Sequence, residues 1–382
     1  MVRVSLFSAV AAASFIASAS ALVTPARDVA VSATAKLVPN DPRVESRNIT
    51  VRGKHYKYLL GKPKGTQKGT ILLIHGFPDL SFGWRNQIPA LQEAGYQVIA
   101  PDMLGYGGTD APDAIEPYGL KTMSDDIVAI LDKDFPQERQ VVIGGHDWGG
   151  FFVWRFSEHH PDRVSGVFSV CTPYVPPAPQ YVPLERYVQA IPNFRYQLQF
   201  AGDEVVSQTA KGGRAVVRQV LNAMYGGKPK PGSDGQLFNV SSGVPFGHIA
   251  NLEKSDNISD QELDFYTDEM MRHGFRGPTN WYRTRKVNFD DDRVLFARGK
   301  DFKIPTPAMY IGASRDPALP EAMSNGMEKY FATPLKRGSV NATHWALIEA
   351  PQDVNKLILE FAAQVGSAPK APAAAPKAKA SL

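Results

Sequence analysis

Cysteine is nearly absent from this chain, in which Cys171 is the only one among 382 residues. A single cysteine excludes an intramolecular disulfide, so the fold must be held by its hydrophobic core, and a chain of this length can bury enough surface to do so. The surrounding sequence, V-F-S-V-C-T-P, is typical of the end of a buried strand. We therefore interpret Cys171 as a small packing residue rather than a reactive thiol.

The chain also lacks a strong excess of charge of either sign. Its formal net charge is +4, from 42 basic and 38 acidic residues. Arg3 near the beginning and Lys370, Lys377 and Lys379 near the end account for that excess. The body is therefore neutral, which gives no electrostatic reason to expect nucleic acid or an anionic membrane as a partner.

Long apolar stretches are missing as well, except near the beginning. Residues 1–21 carry Arg3, then small and apolar residues that end in A-S-A, which predicts a cleaved secretory signal peptide. A mitochondrial presequence and an uncleaved membrane anchor are the alternatives. At the other end, residues 367–382 are rich in Ala, Pro and Lys, and we predict a disordered tail.

Between these ends, short apolar runs alternate with amphipathic helical patterns. Runs that are apolar on both faces predict parallel strands at 69–76, 96–102, 140–146 and 164–170. Helices are predicted at 120–132 and 148–160, and an antiparallel hairpin is predicted from N-I-T-V-R-G and H-Y-K-Y-L-L-G. The alternation indicates a doubly wound α/β fold.

Residues 173–304 interrupt the alternation. This segment, here called the lid, opens with four prolines and is predicted to be a mainly helical insertion over the strand ends. Strand character returns at 306–314 and 335–340, before a closing helix at 353–365. The lid thus divides the core into a first part, 22–172, and a second part, 305–366.

The sequence G-G-H-D-W-G-G (144–150) stands where a predicted strand meets a predicted helix. It has the pattern of a nucleophile elbow, a sharp turn that presents one reactive side chain, here Asp147. Gly145, Gly149 and Gly150 suit such a turn because backbones approach closely there. The alternative is that Asp147 only caps the helix, a role that does not call for glycines on both sides.

A carboxylate at the elbow narrows the chemistry. Aspartate is ionised at neutral pH and can displace a leaving group at saturated carbon, which leaves an alkyl ester on the protein. A base must then activate water to hydrolyse that ester. The pattern favours epoxides or alkyl halides as substrates over ordinary esters.

The base and the acid that orients it are expected after the last two strands, in the chain order nucleophile, acid, histidine. His344 follows the strand at 335–340, and Asp316 follows the strand at 306–314. Three other candidate acids precede the strand at 306–314, and we interpret them as a solvated turn: Asp290, Asp291 and Asp292.

An ester intermediate also needs hydrogen-bond donors for its oxyanion. We predict the backbone amides of Trp148, directly after the nucleophile, and of Phe77 in the H-G-F-P loop (75–78). His75 is interpreted as a structural residue of that loop. The adjacent His159 and His160 point apart on a helix, so no metal site is predicted, and no cofactor.

At this point the chain resembles the soluble-type epoxide hydrolases of the α/β-hydrolase fold over roughly residues 45 to 365. The shared marks are H-G-F-P with Trp84 nearby, P-D-M-L-G-Y-G-G-T (101–109), G-G-H-D-W-G-G and H-W-A-L-I-E-A-P (344–351). Haloalkane dehalogenases resemble it over the same elements. The two chemistries differ in how the leaving group is held, because halide takes weak N–H donors whereas an epoxide oxygen needs acidic hydroxyls.

The resemblance implies that two lid tyrosines supply those hydroxyls. N-W-Y-R (280–283) is similar to the family segment with one acid, which implies Tyr282, and F-R-Y-Q-L-Q-F (194–200) implies Tyr196. Arg195, directly before Tyr196, departs from the family pattern, so the resemblance does not predict the shape of the pocket rim at this position. Three neighbours are expected to bind substrate rather than to react with it: Trp281, Phe194 and Gln197.

The sequence therefore predicts a cofactor-independent epoxide hydrolase that converts a small apolar epoxide and water to a vicinal diol. Phe77 supports this prediction, because many dehalogenases carry Asn at that position as a halide donor. A dehalogenase is the closest alternative. A non-catalytic carrier or receptor on the same fold is another, although such proteins often lose a member of the triad.

Four N-x-[ST] sequons accompany the predicted secretory route. Asn48, Asn239 and Asn257 are candidates for glycosylation. Asn341 lies three residues before His344, where a glycan would crowd the mouth of the active site, and we expect it to stay unmodified.

Overall fold

The computed structural model describes residues 34–367. The predicted signal peptide and the tail beyond Ser367 lie outside the described residues. Within them, no helix combines the length and the apolarity needed to cross a membrane.

The core is one eight-stranded sheet in the order β1-β2-β4-β3-β5-β6-β7-β8. β1 and β2 form an antiparallel hairpin, β2 pairs antiparallel with β4, and all other neighbours are parallel. Arg52 and Gly53, both at positive φ, form the tight turn of the hairpin. The strands are Glu45–Val51, Lys54–Gly61, Gly69–Ile74, Tyr96–Pro101, Val141–His146, Val164–Val170, Ala308–Ala313 and Lys336–Val340.

The core helices are α1 (Ile88–Glu93), α2 (Leu120–Asp134), α3 (Trp148–His159), α11 (Ala346–Glu349) and α12 (Pro351–Ser367). Every predicted strand and helix of the core is present, and the numbered ones begin and end within two residues of their predicted bounds. The parallel strands β3, β4, β5, β6 and β7 are buried almost throughout, as their apolar runs require.

Between β6 and β7 the described chain forms helices and no strand. They are α4 (Leu184–Ala190), α5 (Tyr196–Ala201), α6 (Glu204–Met224), α7 (Asp260–Met271), α8 (Arg276–Asn280), α9 (Arg285–Asp291) and α10 (Arg293–Phe296). The longest, α6, is kinked at Gly213, whose φ of +56° breaks the helical backbone.

The prediction that Asp290, Asp291 and Asp292 form a solvated turn is wrong. α9 ends at Asp291, and Asp292 is buried, where it accepts a hydrogen bond of 2.7 Å from Nε of Arg155 on α3. A run of acidic residues resembles a solvated turn in sequence, but here it ends a helix that packs against the core. Only Asp290 is an exposed residue, paired with Lys286 one turn earlier.

Candidate active site

Asp147 lies at the junction of β5 and α3 in a conformation that side chains rarely adopt, with φ 55° and ψ −120°. The glycines around it make this turn feasible. A Cβ atom on Gly145 would lie 2.1 Å from the carbonyl oxygen of Gly149, and one on Gly149 would lie 2.1 Å from that of Ile74. Strain of this kind costs about 1–3 kcal/mol and is typical of functional turns.

The Asp147 side chain does not cap α3, since it makes no capping hydrogen bond. Its Oδ1 instead accepts a hydrogen bond of 2.8 Å from the backbone N–H of Phe77. A Cβ atom on Gly76 would lie 2.5 Å from that same oxygen, so the loop can approach the carboxylate only because Gly76 has no side chain. Trp148, the other predicted oxyanion donor, is the first residue of α3 directly after Asp147.

His344 joins the two predicted carboxylates. Its Nδ1 lies 2.7 Å from Oδ2 of Asp316, and its Nε2 lies 3.5 Å from Oδ2 of Asp147. Asp316 is held in turn by the backbone N–H groups of Ala318 and Leu319, at 2.9 and 3.0 Å from its Oδ1. The three predicted triad residues therefore lie together, with the imidazole between the acids.

The electrostatics of the triad favour charged groups in spite of burial. Burial opposes ionisation of Asp316, but His344 and the two backbone donors lower the pKa of its carboxyl to about 2. Burial also opposes ionisation of Asp147, yet contact with His344 keeps the pKa of that carboxyl below its usual value. Burial lowers the pKa of His344, but the two carboxylates outweigh it and raise that pKa well above its usual value.

Tyr196 and Tyr282 lie on the lid side of the same site, only 6% and 5% exposed. Their ring centroids are 6.1 Å apart, and the Tyr282 ring meets those of Phe77 and Trp148 edge-on at 5.2 Å. Burial, with the nearby charge of Asp147 adding to it, raises the pKa of both phenols. Both therefore keep their protons and are available as hydrogen-bond donors.

A cavity of about 230 Å³ lies between the core and the lid and includes Asp147 in its lining. Both lid tyrosines line it, as do the three predicted binding residues, Trp281, Phe194 and Gln197. The indole N–H of Trp281 donates to the carbonyl of Leu104 at 3.0 Å, so this ring is fixed by the core loop beneath it. Of the side chains that the sequence predicts for catalysis, Asp147, Tyr196 and Tyr282 line this cavity. His344 reaches the site through its contact with Asp147 and is held there by Asp316.

The other histidines near the site have structural partners. Nε2 of His75 accepts from the N–H of Met103 at 2.9 Å, and its Nδ1 lies 2.9 Å from the carbonyl of Gly76, which fixes the neutral tautomer and holds the loop. His159 and His160 face different acids, Asp292 and Asp125.

His146, Cys171 and His344 place one potential metal-ligand atom each within 4.8 Å of one another. These residues are poorly suited to hold a metal. Burial raises the pKa of the Cys171 thiol well above its usual value, whereas a metal needs the thiolate. Nδ1 of His344 is already bonded to Asp316, and Nε2 of His146 lies 2.8 Å from the carbonyl of His344.

Sequence reasoning missed several residues of this site. Thr172 donates its hydroxyl to the carbonyl of Asp147 at 2.7 Å and so braces the elbow. Arg155 and Arg285 also line the cavity. A signal for Arg285 was available, since it follows Tyr282 by three residues in a helical segment, a spacing that places two side chains on one face.

A family model described as the alpha/beta hydrolase fold matches residues 69–351. Epoxide hydrolase srdG of Neurospora crassa is 40% identical over 335 residues, which cover 86% of this chain and 98% of that relative. Epoxide hydrolase A of Mycobacterium tuberculosis is 35% identical over 297 residues, 76% of this chain and 89% of that relative. The chain belongs to the epoxide hydrolase family.

A solved structure shows that this epoxide hydrolase shares its architecture with its relatives. The crystal structure of epoxide hydrolase A from Mycobacterium thermoresistibile matches it with a TM-score of 0.69 at 30% identity, over 83% of this chain and 98% of that one. The predicted fold, a mostly parallel α/β-hydrolase sheet, is confirmed, and so is the resemblance on which the functional prediction depended.

Proposed function

We propose that this epoxide hydrolase works through a covalent ester on Asp147. Tyr196 and Tyr282 donate hydrogen bonds to the epoxide oxygen, and Oδ2 of Asp147 attacks one ring carbon from the opposite side. The C–O bond of the ring breaks, and a tyrosine gives its proton to the alkoxide. The product of this half-reaction is a hydroxyalkyl ester.

The second half-reaction hydrolyses that ester. His344, oriented by Asp316, takes a proton from water through Nε2 while the water oxygen attacks the Asp147 carbonyl carbon. The carbonyl oxygen is Oδ1, which already accepts from the Phe77 amide at 2.8 Å, and the Trp148 amide is the second donor. The bond between the Asp147 carbonyl carbon and Oδ2 then breaks, while the bond from Oδ2 to the substrate carbon stays intact. Oδ2 takes the proton from His344 and leaves as an oxygen of the diol. The second proton of the water returns to the tyrosinate, which regenerates the tyrosine and the Asp147 carboxylate.

One observation carries this proposal: the two Asp147 oxygens face different partners. Oδ1 faces the loop amide and Oδ2 faces His344 Nε2. A carboxylate placed in this way can use one oxygen as nucleophile and keep the other in the oxyanion site. The buried tyrosines opposite it favour an alkoxide leaving group over a halide.

The test is a single turnover in water enriched in heavy oxygen, followed by mass analysis of enzyme and diol. The label is expected in Asp147, since water attacks the carbonyl carbon and the carboxylate is regenerated with one water oxygen. First-turnover label in the diol would contradict the covalent route. In His344→Gln the ester should persist and add the mass of the substrate to the protein. Halide release from a haloalkane with no turnover of epoxides would instead establish a dehalogenase.

We further propose that the chain enters the secretory pathway through residues 1–21 and carries glycans at exposed sequons. Asn48 and Asn239 are exposed. The side-chain nitrogen of Asn257 instead donates to the carbonyl of Tyr225 and to Glu349, both at 3.2 Å, so a glycan there would break two bonds. Asn341 is exposed, with its Oδ1 bonded to Arg315, and we keep the expectation that it stays unmodified.

Peptide mapping of the protein secreted from its native host tests this proposal. Cleavage near residue 21 with glycans at Asn48 and Asn239 is expected. An intact beginning, or an import sequence processed in mitochondria, would contradict secretion, and full occupancy of Asn341 in active enzyme would contradict the expectation for that site.

A further inference from the structure

Two arginines line the cavity, and their charges are matched very differently. Arg155 donates from Nε to Asp292 at 2.7 Å and from Nη1 to Glu158 at 2.9 Å. Burial lowers the pKa of its guanidinium, but these two carboxylates outweigh burial and raise it. The charge of Arg155 is thus neutralised within the protein, and Arg155 has no need of a ligand.

Arg285 has no such partner among the described residues. Its Nε donates to the carbonyl of Val182 at 2.5 Å, and its guanidinium lies 3.8 Å from the centre of the Tyr187 ring. Burial lowers the pKa of this group, and the opposing influences come from the phenols of Tyr187 and Tyr181 rather than from an acid. The remaining N–H donors of a half-buried cation therefore have no anion.

The acids nearest in sequence do not fill this role. Asp290 pairs with Lys286, and Asp292 pairs with Arg155. The charges that act most strongly on the pKa of Asp291 are those of His159, Lys121, Asp292 and Asp125, and Arg285 is not one of these. An uncompensated cation in a mostly apolar cavity is costly unless a ligand supplies the counter-charge.

Its place in the cavity relates Arg285 to the reacting atoms. Tyr282, one of the two proposed acids, precedes it by three residues, and both side chains line the cavity that contains Asp147. A substrate whose oxirane lies between Asp147 and Tyr282 can therefore extend along the same wall to the guanidinium.

We propose that Arg285 is a substrate-binding residue that accepts a carboxylate, so that the preferred substrates are epoxides with an acid group at the end of an apolar chain. The inference rests on the proposed function and names the substrate class of that site. Arginine suits this role because its planar donors match a carboxylate in pairs. The aromatic ring beneath the guanidinium holds it in place before the substrate arrives.

The test compares terminal epoxy acids with their methyl esters, in a series with increasing numbers of methylene groups between ring and carboxylate, with diol formation as the readout. In the wild type, kcat/KM for the acid is expected to exceed that for the ester by about 10- to 100-fold at the best chain length, the range of a hydrogen-bonded charge pair. Arg285→Gln should remove this preference through KM, with kcat nearly unchanged. Arg285→Lys should keep part of it, and salt should weaken it.

The matched control is Arg186→Gln, which removes an exposed arginine from α4 next to Tyr187 without touching the cavity lining. It should leave the acid preference intact. A wild type that turns over the ester as well as the acid would contradict the inference alone. So would an Arg285→Gln variant that loses acid and ester turnover equally, because that pattern marks a structural role. No turnover of either compound would contradict the proposed function, and the inference with it.

Discussion

The two walls of the cavity hold their reactive groups by different means. On the core wall, directional hydrogen bonds fix each member of the triad, from the Phe77 amide to Asp147 and from two backbone amides to Asp316. On the lid wall, Tyr282 is surrounded by the rings of Phe77, Trp148, Phe200 and Tyr196, with centroids 5.1 to 6.1 Å away. One wall depends on charge and backbone geometry, and the other on aromatic packing.

On the lid wall, therefore, the group that positions a side chain differs from the group that reacts, whereas on the core wall the same atoms do both. A tyrosine held by its ring keeps its place when only its hydroxyl is removed. A carboxylate held by its own oxygens loses its chemistry and its position in one substitution. Variants of the core wall should therefore have larger effects than conservative variants of the lid wall.

Asp147→Ala tests the core wall most strongly. We expect turnover to fall by about 10⁴-fold or more, since the nucleophile and the acceptor of the Phe77 amide are lost together. The measurement is diol formation at saturating substrate, with thermal unfolding to show that the fold persists. Asp162→Ala, at an exposed acid just beyond α3, is the matched control and should keep full activity. Residual turnover within tenfold of the wild type would mean that another group attacks the epoxide.

The buried ion pair of Arg155 with Asp292, which joins the core to the lid, gives the next largest effect, here on stability. Arg155→Met removes one of the two basic partners that Asp292 has among the described residues, and leaves this buried acid with His159 alone. Glu158 also loses Arg155 but keeps its pair with Arg298. We expect the free energy of unfolding to fall by about 3–5 kcal/mol, as for other broken buried pairs. Urea unfolding measures it. Asp290→Asn, which breaks only the exposed pair with Lys286, should cost no more than about 0.5 kcal/mol.

The core could be predicted from sequence because its signals are local. Each parallel strand is an apolar run, and two of the elbow glycines, Gly145 and Gly149, stand where a Cβ atom would meet backbone. Chain order then places His344 and Asp316 after neighbouring strands, whose carboxyl ends share one edge of the sheet. Periodicity and turn chemistry were sufficient for Asp147, His344 and Asp316 to be predicted together.

The lid could not be predicted in the same way because its contacts are long-range. Tyr196 and Tyr282 were implied only by resemblance, since a tyrosine in a helix has no local mark of an acid. Asp292 was misinterpreted because its partner, Arg155, is 137 residues away in sequence. The spacing of Arg285 from Tyr282 could have placed it on the same face, but an arginine near a helix N-terminus gives no local sign of whether an acid lies beside it.

Removing the lid hydroxyls tests the claim that packing alone positions them. Tyr196→Phe and Tyr282→Phe should each lower the rate of ester formation by about 10²-fold, close to 2.7 kcal/mol, the loss expected for one donor to a developing oxyanion. Stopped-flow or rapid-quench measurement of the first turnover gives this rate. Stability should change little, because each ring and its aromatic neighbours remain.

Tyr330→Phe provides the control for these variants, as it deletes a hydroxyl outside the cavity lining. It should leave ester formation unchanged. If either lid variant lost several kcal/mol of stability as well, its hydroxyl would be part of the packing, and the contrast between the walls would fail on the lid side.

The smallest effect concerns pH and returns to the core wall. Asp147 must be ionised to attack, and its lowered pKa keeps ester formation active into acidic solution. His344 must be neutral to activate water. Two carboxylates raise its pKa in the resting enzyme. Esterification removes the charge of Asp147, so that Asp316 is then the main group that keeps this pKa raised. Ester hydrolysis should therefore fail at a higher pH than ester formation, and the ester should accumulate as pH falls.

Asp316→Asn tests the direction in which the charge of Asp316 shifts the pKa of His344. Loss of a charge that raises the pKa of His344 must lower that pKa, so the acidic limb of ester hydrolysis should move to lower pH, by about one unit or 1.4 kcal/mol. The measurement is the rate of ester decay against pH after a rapid single turnover. The absolute rate should also fall, because the imidazole loses the partner that fixes its tautomer, but the midpoint of the limb reports the charge alone. A midpoint that moved to higher pH would show that Asp316 does not support the protonated imidazole, and that the hydrogen bond at 2.7 Å serves orientation only.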